Sequence, residues 1–403
     1  MLQGHERFVT GKPGGKRISL RFADLRDLDL NKRELTDADF TGSLFDGSRM
    51  IGARLVRANL FGCSFRRADL RHAIMTRADI RGSSLRGANL SGADLTQADF
   101  REGQLAIPNP RGGLDIIRHE DRPGEADQAN FSGATLEGAN FNGVSAFAAD
   151  FTDCAMKNVK LAGANLKDAN MSGAILENAD LGGCNLEGAR MAGAVLTGVD
   201  MNTIRAVGVD LSSCLRASTP EAARKAQGLL DMAKANHRWV ETGGREGKPA
   251  NFDGEDLRPL GAVLRGLMLT AMSAKGACMV GVDLAGAQLQ GVNLEGADLR
   301  AAVLVGADLR GARLARANLT KADMRKAALS ALPLGGGRST ATDMEGSLLR
   351  YAAMQAADLT GAKLDQTDLR GAVFTGACLK GASLRGADLS TALGIDFNQD
   401  VAA

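Results

Sequence analysis

Residues 53–65 read Ala53-Arg54-Leu55-Val56-Arg57-Ala58-Asn59-Leu60-Phe61-Gly62-Cys63-Ser64-Phe65, and a large apolar side chain returns at every fifth position: Leu55, Leu60, Phe65. Two residues before each stands a small one, Ala53, Ala58 or Cys63. A period of five belongs neither to an α-helix, with about 3.6 residues per turn, nor to an alternating strand. Side chains two apart share one face of an extended segment, so the centre and the small residue both point inward. The Gly that often follows the centre helps close a turn. Four such five-residue sides would close a square coil of about twenty residues, stacked at about 4.8 Å.

Working outward, the period runs unbroken from Leu20 to Leu105. A second block runs from Phe131 to Leu211, with Ala146 and Ala206 as underfilled centres. Phe252 and Leu257 precede a third block, Leu264 to Leu389, in which only Gly335 to Ala341 breaks the pattern. Nine of the fourteen Phe and ten of the fourteen Met fall on centres, which assigns them to the core rather than to a ligand-binding stripe.

The triplets Ala68-Asp69-Leu70, Ala88-Asn89-Leu90, Ala297-Asp298-Leu299 and Ala387-Asp388-Leu389 resemble the pentapeptide-repeat family, and the resemblance extends over most of the chain. It implies an all-β fold, a right-handed quadrilateral β-helix, here as two solenoid segments with an intervening α-helix. The best-known activity in that family is protection or inhibition of DNA gyrase by members that imitate the shape and negative charge of duplex DNA.

Two interruptions set the expected organisation. Residues 106–128 carry three prolines and shift the register by one, which predicts an inserted loop. Residues 218–240 predict a helix: Ser218 and Glu221 have capping-box spacing, Pro220 suits the first turn, and Ala222, Ala226, Leu229, Leu230 and Ala233 recur at helical spacing before Gly243-Gly244. The reading is an N-terminal solenoid over 1–217 and a second unit over 218–403, in which the helix caps the coil with His237 and Trp239.

The 403 residues carry 49 Lys and Arg against 47 Asp and Glu, so overall charge favours neither nucleic acid nor acidic membranes. No apolar run reaches the roughly 18 residues of a membrane span, and the N-terminus has no signal-like core, which together predict a cytoplasmic protein. Cys63, Cys154, Cys184 and Cys214 take the small inward position; Cys278 and Cys378 point outward and are expected on one side, about 24 Å apart. No catalytic pairing of the four histidines is evident, and no metal or cofactor motif appears. Gly11 to Lys16 lacks the first Gly and the final Ser or Thr of a phosphate loop.

Function is therefore expected in the outward side chains, as a non-enzymatic interaction scaffold for a protein partner. The first candidate surface is an arginine belt, Arg49, Arg54, Arg57, Arg66, Arg67, Arg71, Arg77, Arg81 and Arg86, which faces only Asp69 and Asp79 between residues 48 and 90, a net +7. It carries the alternative of direct nucleic-acid binding. The second block is acidic, net −4, and the third basic, net +4. Imitation of DNA at gyrase requires a strongly acidic rod, so that alternative rests on the second block alone.

The second candidate is an outward apolar column, Thr135, Ala155, Ile175, Val195 and Leu215, which needs a cover; the helix after Leu215 is the expected one, and a partner or a second copy the alternative. Ile51, Val56 and Phe61 form a smaller outward apolar group around one coil. The sequence does not set the oligomeric state.

Overall fold

The five-residue period folds into a ladder. In the computed structural model, the residue before a centre forms a parallel bridge with the next coil, in most coils with the residue twenty positions on: Ser19 with Asp39, Asp24 with Leu44, Asp29 with Arg49, Glu34 with Arg54. Four bridges per coil make a four-sided β-helix. The Asp39 N–H donates back to the Ile18 carbonyl at 3.0 Å, while Phe40 and Gly42 donate forward to Asn59 and Phe61 at 2.8 Å. Each corner closes locally, as where Ala38 N–H donates to the Leu35 carbonyl at 3.1 Å. The residue two after the centre takes a left-handed backbone, φ 68° at Gly42 and 65° at Gly62, which explains why Gly is frequent there.

The structure describes residues 1–107, 118–204 and 208–396. The chain divides into two compact units, Met1–Ala217 and Ser218–Ala403, each with its own continuous core. In the first unit, phenylalanines stack along the axis on two of the sides: Phe45 on Phe65 at 5.0 Å and Phe131 on Phe151 at 4.9 Å, both near-parallel. The coil spacing itself brings such rings into face contact. The second unit is filled mainly by Leu and Ala.

Inward thiols have a specific role. Cys63, Cys154 and Cys184 are buried and Cys214 half-buried; their Sγ atoms donate to the carbonyls of Phe40, Phe131, Leu161 and Met191 in the preceding coil at 2.8 to 3.1 Å. Ser43 does the same to Leu20 at 2.6 Å. Burial pushes the Cys63 and Cys184 thiols up to about 12, so both stay protonated donors.

The interruptions differ from the sequence reading in form. The segment predicted as a loop over 106–128 holds the end of one arm and the whole of the other in an antiparallel hairpin, β1 (Gly103–Ile107) and β2 (Arg118–Arg122), with Gly103 opposite Arg122. Residues 108–117 lie outside the described residues, as do Arg205 and Ala206. Leu105 is not a core centre. The chain has already left the coil, and Leu105 packs outside it against Gly62, where an added Cβ would meet its methyl at 3.0 Å. The coil resumes earlier than Phe131, with Glu125 pairing to Ser84 and Ala126 filling the core.

In the second unit the break is a small hairpin, β3 (Leu332–Gly335) and β4 (Arg338–Thr340). It lengthens one coil by ten residues, so Arg313 pairs with Asp343 and Asp308's successor Ala328 with Asp358. Ten residues are two sides, and every later column moves to the opposite side. Cys278 therefore stands in the column with Asp298, Asn318, Leu348 and Asp368, while Cys378 stands with Met268, Gln288, Asp308 and Asp358. The expectation that the two cysteines share a side is thus overturned.

Two helices begin the units. α1 (Leu2–Val9) had no counterpart in the sequence reading; α2 (Pro220–Glu241) is the predicted helix, capped by Thr219 rather than Ser218, with its side chain accepting from Ala222 N–H at 3.1 Å.

Truncating a fully buried centre, Leu166→Ala in the first unit or Leu309→Ala in the second, should cost about 2 to 5 kcal/mol by denaturant unfolding. Unchanged midpoints for both would refute the inward assignment.

Candidate functional site

The outer wall is built from one recurring contact. Where the residue before a centre is Asp and the residue after it is Arg, the carboxylate accepts from the Arg backbone N–H and grips the guanidinium with both oxygens. Asp298 and Arg300 show it: 3.3 Å to the backbone nitrogen, 2.9 Å to Nε, 2.7 Å to Nη2. The same clamp joins Asp24 to Arg26, Asp69 to Arg71, Asp79 to Arg81, Asp99 to Arg101, Asp256 to Arg258, Asp308 to Arg310, Asp323 to Arg325 and Asp368 to Arg370. Bidentate geometry fixes both side chains against the wall.

The belt arginines are mostly held in this way or by acids one coil along. Arg49 pairs with Asp29, Arg54 with Glu34 at 3.0 Å and Arg57 with Asp37 at 2.6 Å. Arg71 and Arg81 sit in clamps, Arg86 meets Glu125 at 2.5 Å and Asp127 at 3.0 Å, and Arg66 lies 4.0 Å from Glu125. Arg77 donates to Gln97 at 2.8 Å, and Arg67 is exposed. Among the described residues, Arg67 and Arg77 alone of the nine have no carboxylate partner. The net +7 counted along the chain is therefore not free charge, because stacking brings in acids from twenty or more residues away. In the acidic block two such pairs form, Lys157 with Glu177 and Lys167 with Glu187, both at 3.0 Å.

The apolar column is real but is not open surface. Ile175 and Val195 are only 5% and 2% exposed, and Leu215 is half-buried. Their bridges run Ala155 to Ile175 to Val195 to Leu215 up successive coils. Ile175 and Val195 are thus enclosed within this chain and not open to a partner. Of the smaller group, Phe61 lies under the first hairpin, with Gly103 against its ring and the Arg81 guanidinium 5.4 Å from its centroid.

At the start of the second unit, His237 Nδ1 accepts the Met268 N–H at 3.0 Å, and Trp239 is half-buried beside Gly244. The buried clasp is Asn236, which the sequence reading missed: its Oδ1 accepts from Ala250 N–H at 2.8 Å and its Nδ2 donates to the Thr270 carbonyl at 3.2 Å. In the first unit the corresponding backbone group, Ile18 N–H, is held by His5, the sequence counterpart of His237, whose Nδ1 accepts from it at 3.1 Å. Burial lowers the His5 pKa below its ordinary value.

The clamps set the acid response. Hydrogen bonds from Arg26 hold Asp24 down to about 2, and Asp99 and Asp308, which burial alone would raise, end lowered because Arg101 and Arg310 bond them. A lowered carboxylate adds stability above its unfolded pKa, near 3.9, and loses it as pH falls through the folded value. His5, lowered by burial, loses its contribution from about pH 6.5 downward. In His5→Asn, which removes the titrating imidazole and keeps a side-chain oxygen able to accept, the melting temperature should hold from about pH 7 to 5 and fall below about pH 4. A fall complete by pH 5 would contradict the clamp account.

With this geometry in hand, relatives can be weighed. The pentapeptide repeats family matches at eight stretches, residues 23–62, 63–101, 127–163, 149–188, 174–212, 277–314, 301–331 and 352–390, together well over half of the chain. Among curated proteins none matches significantly. Similar solved structures include full-length QnrB1, a plasmid-mediated fluoroquinolone resistance protein, at 20% identity and a TM-score of 0.27 over 52% of this chain and 99% of that one. HetL, a pentapeptide repeat protein involved in heterocyst differentiation regulation from Nostoc sp. strain PCC 7120, is 21% identical with a TM-score of 0.14, covering 96% and 93%. A pentapeptide repeat protein from the Arabidopsis thaliana thylakoid lumen is 26% identical with a TM-score of 0.16, covering 30% and 70%. The five-residue period, the parallel bridges every twenty residues and the eight matched stretches agree: the chain belongs to the pentapeptide-repeat family.

Proposed function

We propose that the protein is a non-enzymatic scaffold that presents a preformed solenoid surface to a protein partner. The clamps carry this reading. With the outward Asp and Arg side chains already fixed in bidentate pairs, a partner that docks on the wall has little side-chain entropy to remove, which is the usual gain from preorganisation. The paired charges favour recognition by shape and hydrogen bonding over the long-range pull that nucleic acid requires. DNA imitation would need a strongly acidic rod, whereas the third block is net +4 and, in the acidic second block, Glu177 and Glu187 are paired with lysines. Six free cysteines suit a reducing compartment, and the cytoplasm is the proposed location. No helix among the described residues is long and apolar enough to cross a membrane.

Immobilised intact protein should capture a stoichiometric protein from a lysate of the source cell, unaffected by nuclease, and charge reversal at Arg67 and Arg77 should weaken capture if the belt takes part. Capture that vanishes with nuclease, together with retention on DNA that drops steeply between about 50 and 200 mM salt, would replace the proposal with nucleic-acid binding.

A further inference from the structure

The two units open with the same lead-in, 232 residues apart. Thr10-Gly11, Gly15-Lys16 and Leu20 of the first unit correspond to Thr242-Gly243, Gly247-Lys248 and Phe252 of the second. The geometry matches as well. Thr10 Oγ1 donates to the Glu6 carbonyl at 2.8 Å and Thr242 Oγ1 to the Arg238 carbonyl at 2.7 Å. Gly11 and Gly243 follow in left-handed backbone, φ 65° and 63°. Next, Lys12 N–H bonds Arg7 at 2.8 Å where Gly244 N–H bonds Trp239 at 2.7 Å. The first coil continues the correspondence: Asp24-Leu25-Arg26 with Leu28 in one unit, Asp256-Leu257-Arg258 with Leu260 in the other, each with its clamp.

What differs is the cover. In the second unit α2 extends sixteen residues before Asn236, from Pro220, and turns Ala226, Leu229, Leu230 and Ala233 onto the coil. Beneath it Phe252 and Leu257 are fully buried and Leu260 is 3% exposed. In the first unit α1 is only eight residues, Leu2–Val9. There Leu20, Leu25 and Leu30 are only partly buried, and Leu28, the counterpart of Leu260, is 43% exposed with Phe22 at 39%. The Asp24–Arg26 clamp is likewise open where Asp256–Arg258 is sheltered.

We propose that this first-coil face, Leu25, Leu28 and Leu30, is a docking site for an amphipathic helix carried by a partner protein, lying across it as α2 lies across the second unit. The second unit shows what covers such a face: a helix with small and Leu side chains at i, i+3, i+4 and i+7, the spacing of Ala226, Leu229, Leu230 and Ala233. At the position of Glu255, which anchors Lys225 at 3.2 Å in the second unit, the first has Ala23, so the docking helix needs no cation there. The inference rests on the reading of the protein as a scaffold and names the kind of partner element that one end accepts.

The test uses the full chain and a labelled synthetic peptide with the sequence of residues 218–236. Saturable binding by fluorescence anisotropy is expected, with slowed amide exchange at Leu25 and Leu28. Leu28→Asp in the protein, at an exposed position that should not disturb folding, or Leu229→Asp in the peptide should each weaken binding at least tenfold. Absence of saturable binding, or binding indifferent to Leu28→Asp, overturns the proposal. So does a dimer by light scattering in which Leu25 and Leu28 are already protected, since a second copy would then be the occupant. If the peptide fails while stoichiometric partner capture persists, the scaffold reading stands and only the helix site falls.

Discussion

Everything in this protein depends on the backbone ladder that ties each coil to the next at a separation of twenty residues. The hydrogen bonds run along the axis, from Asp39 back to Ile18 and from Phe40 forward to Asn59, so a residue's neighbours above and below are fixed by register and not by sequence proximity. Period-five packing follows from it. A centre residue can stack on the centre twenty residues later, and the small residue two positions before it leaves room for a thiol or hydroxyl to reach the preceding coil's carbonyl, as Cys63 and Ser43 do.

The same register governs the surface. Charges that look concentrated when counted along the chain are distributed when counted along the axis, because a side chain's electrostatic partners are its own repeat and the coils on either side. Arg57 is neutralised by Asp37 and Arg86 by Glu125, one a coil below and the other beyond an inserted hairpin. Where Asp and Arg are clamped together, as at Asp298 and Arg300, the wall is locally neutral. Its selectivity then comes from which groups remain unpaired and from the ends of the coils, where the ladder stops and apolar centres are exposed unless something covers them.

Much of the fold is legible in the sequence because the period leaves one side chain per repeat no alternative to the core. Leu60 and Phe65 could be placed inward from spacing alone, and so could Cys63 beside them. Other features are hidden for physical reasons. α1 is too short for a helical period to show, and Asn236 acts through two backbone groups, Ala250 and Thr270, that are distant in sequence. The ten residues at the second hairpin preserve the period of five while moving later columns by two sides, so Cys278 and Cys378 keep phase yet part company. The candidate surface was the least legible. The belt arginines could be listed by position, but their partners Asp29, Asp37 and Glu125 became visible only when the coils were stacked.

The central claim is the twenty-residue register, and paired cysteines read it directly. Asn165 and Asn185 bridge adjacent coils, with Asn185 Nδ2 3.3 Å from Asn165 Oδ1, whereas Asp180 lies on a different side. Neighbouring strands at about 4.8 Å fall within the span a disulfide can close. Under mild oxidation of otherwise native protein, Asn165→Cys with Asn185→Cys should cross-link, and Asn165→Cys with Asp180→Cys should not. Cross-linking of the second pair in place of the first would contradict the register on which the whole account stands.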